Sequence, residues 1–326
     1  MLYLATSNVM AMVTSTWWMI NMLKRKSLII LLMLAIVSIS SIAVVAMVDW
    51  DRLHPGPEEG YKPWMYDLDP QKTSVKISLE EAIEKVKAVW SVPSDEVTGF
   101  KLRRDDWKDY TRWELEWRVN GSGLMADVDA ETGKVMVIVD HRRSGGVDNL
   151  KDVNKAIELA EKVLMRLEIG TEDLSTPIVM KNDDPKFTYV VIWKQFYKGI
   201  TVKTANVIVE IDADTLKPVG FSNGLMDIHE VNTVPKISEN QAIETAVNFL
   251  ESETIKSKGY NKCKILKTEL VIARPNYDPS QDKILVPMGK PTLVWYIYTS
   301  DDITGRLLDV MADAQTGSVV GFLQYR

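Results

Sequence analysis

The sequence is poor in the residues that build disulfides and metal centres. Its 326 residues include one cysteine, Cys263, and three histidines, His54, His141 and His229. A lone cysteine excludes an intramolecular disulfide and has no partner for a cysteine-based zinc site. Three scattered histidines do not indicate a histidine-rich metal centre either. We therefore expect the chain to use no metal ion and no other cofactor.

Short catalytic motifs are also scarce. The sequence has no His-Glu-x-x-His pattern, P-loop or Gly-x-Gly-x-x-Gly fingerprint, so metallopeptidase and nucleotide-binding hypotheses lack support. Residues 220–224 match the Gly-x-Ser-x-Gly elbow of esterases around Ser222, but that motif needs a helix after its strand. Residues 225–235 carry no helical pattern, which favours a linker. We predict that the chain is not an enzyme and assign no catalytic, cofactor-binding or metal-binding residue.

The charge balance argues against a nucleic-acid partner. The formal net charge is −6 at pH 7, and no basic stripe with interleaved aromatic residues is present. Phosphate binding needs a concentrated basic face, which this sequence does not show. The apolar content of 46% is typical of a folded chain, and the length suits two or three domains.

A run without charges, Ser27–Val48, lies near the N-terminus. As a helix it is long enough to cross a hydrocarbon core of about 30 Å. The basic residues 24–26 precede it and Asp49 follows, so we expect a cytoplasmic N-terminus and an extracytoplasmic C-terminal domain. A cleaved signal peptide is the competing interpretation. The run exceeds the signal core of about 7–15 residues, which favours an uncleaved single-pass anchor in the lipid bilayer of the cell membrane.

The segments on either side of this run are predicted to lie outside the folded part. Residues 1–26 are a cytoplasmic segment or an extension upstream of the true start. Translation from Met22 would place a basic cluster directly before the apolar core, as in a membrane-targeting segment. Residues 49–75 are rich in proline and glycine and are predicted to be a linker.

A short turn recurs three times in the rest of the chain. Its copies are Asp129–Gly133, Asp212–Leu216 and Asp313–Gly317, which share the pattern Asp-Ala-x-Thr. Each copy follows a strand of alternating hydrophobicity and leads into a second β-rich run. The recurrence predicts three equivalent units, at residues 76–142, 150–222 and 236–326.

Each unit begins with an amphipathic helix pattern. Ser78, Asp152 and Ser238 stand where a helix-capping side chain is expected, and Ser78 belongs to a capping box. A small residue holds the same place on each apolar face, where it lets a helix approach a sheet closely: Ala82, Ala156 and Ala242. About four antiparallel strands follow each helix. We therefore predict an α+β fold of three tandem repeats, each one helix packed on a small antiparallel sheet, behind an N-terminal transmembrane helix.

The acidic residues of the turn allow a calcium hypothesis. Asp127, Asp129 and Glu131 imitate the start of an EF-hand loop, but the twelfth position is Ile138 rather than glutamate. The third copy supplies one carboxylate, Asp313. Turn chemistry explains the pattern better, because an aspartate can accept hydrogen bonds from its own turn while glycine supplies a positive φ.

Aromatic residues on the strands allow two roles. Trp113 and Trp117 share one strand face, and so do Trp295 and Ile297. Packing between sheet and helix is the favoured interpretation, because aromatic alternation is ordinary in strands. If a face is uncovered, the same residues would mark a binding surface for a partner.

These patterns together resemble the PepSY domain family. The resemblance rests on a helix of the form Ser-x-x-x-Ala-Ile, strands with Trp-x-x-x-Trp or Val-Ile-Trp, and a closing Asp-Ala-x-Thr-Gly-x-Val. Residues 196–202 and 207–211 also look like the propeptide (FTP) domains of thermolysin-type peptidases and the tandem YcdB/YcdC-like version of the module. The likeness covers residues 76–326, and Leu216 departs from it by replacing the glycine of the turn.

The resemblance implies a module without catalytic activity. Such domains are similar to propeptide segments that assist the folding of a secreted protease or inhibit it. We accordingly predict a membrane-anchored extracytoplasmic binding protein that modulates a secreted or membrane protease, or another envelope protein. The alternative is a structural or sensory ectodomain that binds a small ligand or an envelope polymer.

Overall fold

The computed structural model describes most of the chain beyond the N-terminal segment. The described residues are 65–119, 122–142, 148–150, 152–182, 187–256, 262–278, 280–281, 283–285 and 288–324. They belong to one compact unit, Pro63–Arg326. The predicted N-terminal extension at 1–26 and transmembrane anchor at 27–48 lie outside the described residues.

Helices and strands alternate in blocks along the described residues. The helices are α1 (Leu79–Val89), α2 (Val153–Arg166), α3 (Glu239–Leu250) and the short α4 (Glu253–Lys256). The first nine strands are β1 (Met65–Leu68), β2 (Gly99–Asp105), β3 (Tyr110–Val119), β4 (Ser122–Asp129), β5 (Val135–Asp140), β6 (Ile178–Asn182), β7 (Thr188–Tyr197), β8 (Ile200–Asp212) and β9 (Pro218–Asn223). The others are β10 (Cys263–Ala273), β11 (Tyr277–Asp278), β12 (Lys283–Ile284), β13 (Thr292–Asp301), β14 (Leu307–Asp313) and β15 (Val319–Gln324).

A single mixed sheet of 13 strands connects almost all of these strands. Its main path runs β1-β2-β3-β4-β5-β9-β8-β10-β13-β14-β15, and β7 pairs with β8 and β6 beside this path. Neighbours along the path are antiparallel except β8 and β10, which meet in a parallel pairing at Val202 and Ile272. The small strands β11 and β12 form a separate two-stranded sheet.

The predicted fold class, three tandem repeats each with its own small antiparallel sheet behind a transmembrane helix, is wrong. The sheets are fused, because β5 pairs with β9 through Val137–Ser222, Ile138–Phe221 and Val139–Gly220. An edge strand exposes unpaired backbone N–H and C=O groups, and joining two edges satisfies them. The described residues also contain no helix that combines the length and apolar character needed to cross a membrane. The predicted boundaries of the three units stay predictions.

Side-chain caps fix the starts of the three longer helices. The amide of Glu81 donates to Ser78 Oγ at 3.2 Å while the amide of Ser78 donates to Glu81 Oε2 at 2.8 Å, which confirms the capping box. Ser238 and Gln241 form a second capping box, and Asp152 accepts from the amide of the second residue after it. Such caps each contribute about 1 kcal/mol.

The helices pack on one face of the sheet through small and aromatic residues. The alanines at the equivalent helical position are all fully buried: Ala82, Ala156 and Ala242. Beneath α1, Trp113 is 3% exposed and Trp117 is fully buried in the same core. Their role in core packing is therefore confirmed. Trp295 is partly buried against the core beneath α3, where Ile297 is fully buried.

The recurring turns dock the sheet against the segment that leads into each helix. Asp129 Oδ1 accepts from the amides of Glu131 and Thr132, each at 2.8 Å, which confirms the turn-capping interpretation. The carbonyl of the next residue, the fully buried Ala130, accepts a hydrogen bond from the amide of Ile77 at 3.0 Å. Ile77 immediately precedes the cap of α1, so the turn sets where this helix begins.

The same docking recurs at the other two copies. The carbonyl of Ala213 accepts from the amide of Asn149 at 3.0 Å, shortly before α2. The carbonyl of Ala314 accepts from Lys236 at 2.8 Å and from Ile237 at 3.2 Å, directly before α3. Each turn therefore links the end of a hairpin to the start of the helix that covers it.

Strand aromatics reinforce this link. The indole of Trp113 donates to the carbonyl of Ile77 at 2.8 Å, and the indole of Trp295 donates to the carbonyl of Ile237 at 3.1 Å. Both tryptophans pair with the residue that precedes the turn aspartate. Tyr189 holds this place beside the second turn. Its hydroxyl donates to a carboxylate instead, Asp148 Oδ2 at 3.5 Å, in the segment before α2.

The structure contains a fourth turn of the same design, which the pattern Asp-Ala-x-Thr does not detect. Asp301 Oδ1 accepts from the amides of Ile303 at 3.0 Å and Thr304 at 2.6 Å, between β13 and β14. Gly305 has φ +69°. The pattern Asp-x-x-Thr-Gly would have found this turn, since its second residue is aspartate rather than alanine. The conformation of the turn thus depends on the aspartate and the threonine. The alanine occurs in the three turns whose next carbonyl bonds to the segment before a helix.

Charged side chains occupy the sheet face away from α1. Successive strand residues point to opposite faces, so Arg112 and Glu114 alternate with the buried tryptophans of β3. Arg112 Nη1 lies 3.3 Å from Asp127 Oδ2, and Arg103 Nη1 lies 3.1 Å from Glu114 Oε2. Burial raises the pKa of Asp127 to about 6, although neighbouring Arg112 favours the charged carboxylate.

The structure also places β1 inside the predicted linker at 49–75. Residues Met65–Leu68 pair antiparallel with Leu102–Asp105 of β2. Tyr66 donates from its hydroxyl to Asp106 Oδ1 at 3.4 Å. The proline and glycine content hid this strand, which is only four residues long and protects the edge of the sheet.

A pair of turn variants tests the cost of a positive φ without glycine. Leu216 adopts φ +58°, whereas Gly317 at the same place adopts φ +80°. We expect Leu216→Gly to raise the free energy of unfolding by about 1 kcal/mol and Gly317→Ala to lower it by a similar amount. The added Cβ at Gly317 would meet Ile237 Cδ1 at an ordinary 3.7 Å, so strain alone sets the second effect. Chemical denaturation measures both; equal signs would contradict this explanation.

Asp127 predicts a pH dependence of stability. Its pKa is raised from 3.8 to about 6 in the folded chain, so the folded state holds the proton over this interval. Stability from this group is therefore lost as pH rises through the interval. Between pH 5 and 7 we expect the chain to lose about 1 kcal/mol more than Asp127→Asn does. Denaturation of both proteins at the two pH values measures this; parallel losses would contradict it.

Candidate functional site

A cleft of about 450 Å³ lies where the ends of α1 and β5 meet α2 and the second turn. The last turn of α1 and the residues after it form one side. Four residues along one face of α2 form the opposite side. Residues 215–219 of the turn and β9 close the end. The pairing of β5 with β9 holds these elements together, so the fused sheet creates the cleft.

The floor of the cleft is apolar. Trp90, Val163 and Val219 line it and are 6%, 4% and 5% exposed, respectively. Val89 and Leu159 add partly buried aliphatic surface. Ligand sites in proteins are typically concave and apolar with a few polar groups placed around them. The volume of this cleft falls within the range of such sites, about 300–1,000 Å³.

The rim of the cleft is basic. Four cationic side chains and one carboxylate line it. The cations are Arg142, Lys162, Arg166 and Lys217, and the carboxylate is Asp140. Lys162 forms an ion pair with Glu158 at 2.7 Å. Hydrogen bonds from Lys155 and Lys162 lower the pKa of Glu158 to about 2. Within the described part of the chain, Arg166 and Lys217 form no ion pair and lie exposed at the rim.

Asp140 is held inside the wall rather than offered to a ligand. Arg142 Nε donates to Asp140 Oδ1 at 2.8 Å, and Arg142 Nη2 donates to Asp140 Oδ2 at 2.5 Å. Arg142 Nη2 also donates to the carbonyl of Ser91 at 2.6 Å, and the indole of Trp90 donates to Asp140 Oδ2 at 3.5 Å. This bidentate pair neutralises the carboxylate and anchors the end of α1 to β5.

Leu216 adds backbone strain at the rim. It has φ +58° and its side chain is 38% exposed, although glycine holds this place in two other copies of the turn. Such non-glycine outliers cluster at ligand sites, where the side chain is retained despite a cost of about 1 kcal/mol. Leu216 lines the cleft, which gives its side chain a use that glycine cannot supply.

The structure does not assemble the esterase pattern around Ser222. Ser222 lies within β9, between Val137 of β5 and Ile208 of β8. Residues 224–238 are all described, and no helix begins among them; the next one starts at Glu239. His229 lies 2.8 Å from Asp227 and is largely exposed, so it pairs with that aspartate rather than with the serine. The linker interpretation of residues 225–235 agrees with this placement.

The acidic residues of the first turn are engaged by the protein itself. Asp129 caps its turn, and Asp127 on the far face of the sheet pairs with Arg112. Among the described residues, no group of three or more histidine, cysteine, aspartate or glutamate side chains is arranged to hold a metal ion. Cys263 lies on β10 and is partly buried, where burial raises the pKa of its thiol.

A second polar cluster lies beside β13. Lys203 Nζ donates to the Tyr298 hydroxyl at 2.6 Å, and that hydroxyl donates to Glu269 Oε2 at 2.7 Å. Lys203 Nζ also lies 4.3 Å from the centre of the Tyr296 ring. Burial lowers the pKa of Lys203. Each member of this cluster has a partner within the chain, and these contacts offset the cost of burying polar groups. The bond between Lys203 and Tyr298 joins β8 to β13.

Comparison with known proteins assigns part of the chain. Residues 76–136 match the family model described as "Peptidase propeptide and YPEB domain", or PepSY. The chain is also similar to a solved structure, the Bacillus megaterium YpeB C-terminal domain, at 15% identity over 78% of this chain and 100% of that one, with a TM-score of 0.41. No curated protein matches the chain.

The matched segment contains α1, β2, β3, β4 and the first turn, which hold the first copy of the repeated patterns on which the resemblance rests. The match ends just after the turn, at the start of β5. Two walls of the cleft, α2 and residues 215–219, lie outside it. The resemblance is confirmed for the matched segment: residues 76–136 are a PepSY-type domain.

Proposed function

We propose that the chain is a non-catalytic binding protein that modulates a protease. The PepSY match at residues 76–136 carries this proposal, because the family description names peptidase propeptides. The fused sheet places the ends of α1 and β5 beside α2 and so forms a cleft, which supports a role in binding. The polar clusters around Asp127, Asp140 and Lys203 are engaged by ion pairs and hydrogen bonds within the chain, which supports a structural role for them.

We further propose that the folded part works outside the cytoplasm. The sequence supports this through the basic cluster at 24–26 and the charge-free run at 27–48 directly after it. This order is typical of segments that bring a chain to the membrane and export the residues on their C-terminal side. A partner protease would then be secreted or exposed at the outer membrane face.

A second candidate function is supported by the cleft itself. Its apolar floor and basic rim would suit a sensory domain that binds a small anionic ligand or an envelope polymer. In that case the ligand, rather than a protease, would be the natural occupant. The two functions differ in whether a peptidase changes its activity when the chain is present.

A peptidase assay tests the proposed function directly. The purified full chain is titrated into each secreted peptidase of the same organism, with a short chromogenic peptide as substrate. We expect a stoichiometric reduction of kcat/KM by at least about tenfold for one peptidase, which corresponds to about 1.4 kcal/mol. The intact mass of the chain, measured after the assay, shows whether the peptidase has cut it. An unchanged mass excludes inhibition by a chain that merely competes with the peptide as a second substrate.

The control is the heat-unfolded chain at the same concentration. It should not inhibit, because the proposal requires the folded surface. If no peptidase changes its activity at saturating concentrations of the folded chain, the protease hypothesis fails and the ligand-binding alternative gains support.

A further inference from the structure

We propose that the cleft between α1 and α2 binds an acidic polypeptide segment that carries an apolar side chain, supplied by a partner protein. The inference rests on the proposed function only in taking the partner to be a protein. It is carried by the floor, the rim and the charge balance of this one cleft.

The rim has an excess of positive charge that the chain does not neutralise. Arg142 is engaged by Asp140, and Lys162 is paired with Glu158. Arg166 and Lys217 remain as exposed cations on two walls of the cleft, Arg166 at the end of α2 and Lys217 directly after the second turn. The whole chain carries a net charge of −6, so this local excess runs against its overall composition.

The helix dipole explains one of these cations but not the other. Arg166 ends α2, and a cation there is favourable next to the helix C-terminus. Lys217 follows a strained turn rather than a helix, and no such stabilisation applies to it. Two cations that face one concave site indicate an anionic occupant, because guanidinium and ammonium groups pair well with carboxylates.

The apolar floor of the cleft favours a polypeptide over a simple anion as the ligand. Trp90, Val163 and Val219 offer buried apolar surface that an inorganic anion would leave uncovered. A segment with alternating acidic and apolar side chains would satisfy both parts of the site. Leu216 extends the apolar surface to the rim, which gives its strained conformation a role in contacting that segment.

Fluorescence anisotropy with a defined probe tests the proposal. The probe is fluorescein-labelled Gly-Glu-Leu-Glu-Leu-Gly amide, and its matched partner replaces both glutamates by glutamine. We expect the full chain to bind the glutamate probe at least about tenfold more tightly than the glutamine probe. Affinity should fall as salt is raised from low to physiological concentration, because the rim charges are exposed.

Charge reversal locates the site. The variant Arg166→Glu with Lys217→Glu should weaken binding of the glutamate probe by at least about tenfold. The control Lys290→Glu with Arg306→Glu changes the net charge equally at exposed positions that do not line the cleft, and it should bind as the unchanged chain does. All four residues are exposed, so circular dichroism should show the same fold in both variants.

Three outcomes would overturn the proposal. The first is no binding of the glutamate probe to the unchanged chain, and the second is equal weakening in both charge variants. The third is displacement of the probe by inorganic phosphate at a similar concentration, which would indicate a small-anion site. If the cleft variant still inhibits a peptidase fully, the proposed function stands and the cleft is not its contact surface.

Discussion

The hydrogen bonds of one small residue in each turn hold the architecture together. The alanine after the turn aspartate is fully buried in all three copies, at positions 130, 213 and 314. Its amide bonds to a neighbouring strand or the residue just before one, and its carbonyl bonds to the segment that precedes a helix. Because buried backbone groups must be paired, a helix that began elsewhere would leave these groups unsatisfied. The turn therefore sets the place of the helix on the sheet.

The need to pair backbone N–H and C=O groups also explains why the strands join into one sheet. This joining creates the candidate site. The last strands of the first two helix–strand groups, β5 and β9, would each present an open edge. Their pairing removes both edges and brings the end of α1 next to α2. The cleft thus results from the pairing of two strand edges. The residues of its floor also belong to the core. Only its rim is free to vary in charge.

Local elements could be predicted from the sequence, whereas their assembly could not. The capping box at Ser78 and the turn at Asp129 rest on contacts within a few residues, which short patterns encode. The pairing of β5 with β9 joins residues about 80 positions apart, and nothing in their alternation specifies it. Strand β1 was hidden by its short length and by neighbouring prolines.

The cleft could not be predicted because its cations look ordinary in the sequence. Arg166 and Lys217 are far apart along the chain and belong to common surface patterns. The one available signal was Leu216 in place of glycine, which indicates strain but does not point to a cavity.

Hydrogen exchange on the chain, with and without a peptidase whose activity the chain reduces in the assay, tests most directly whether this cleft receives a partner polypeptide. Binding there would cover the face of α2 that lines the cleft and the residues after the second turn. We predict slowed amide exchange concentrated in residues 159–166 and 215–219; protection confined to other surfaces, or none, would contradict the proposed role of the cleft.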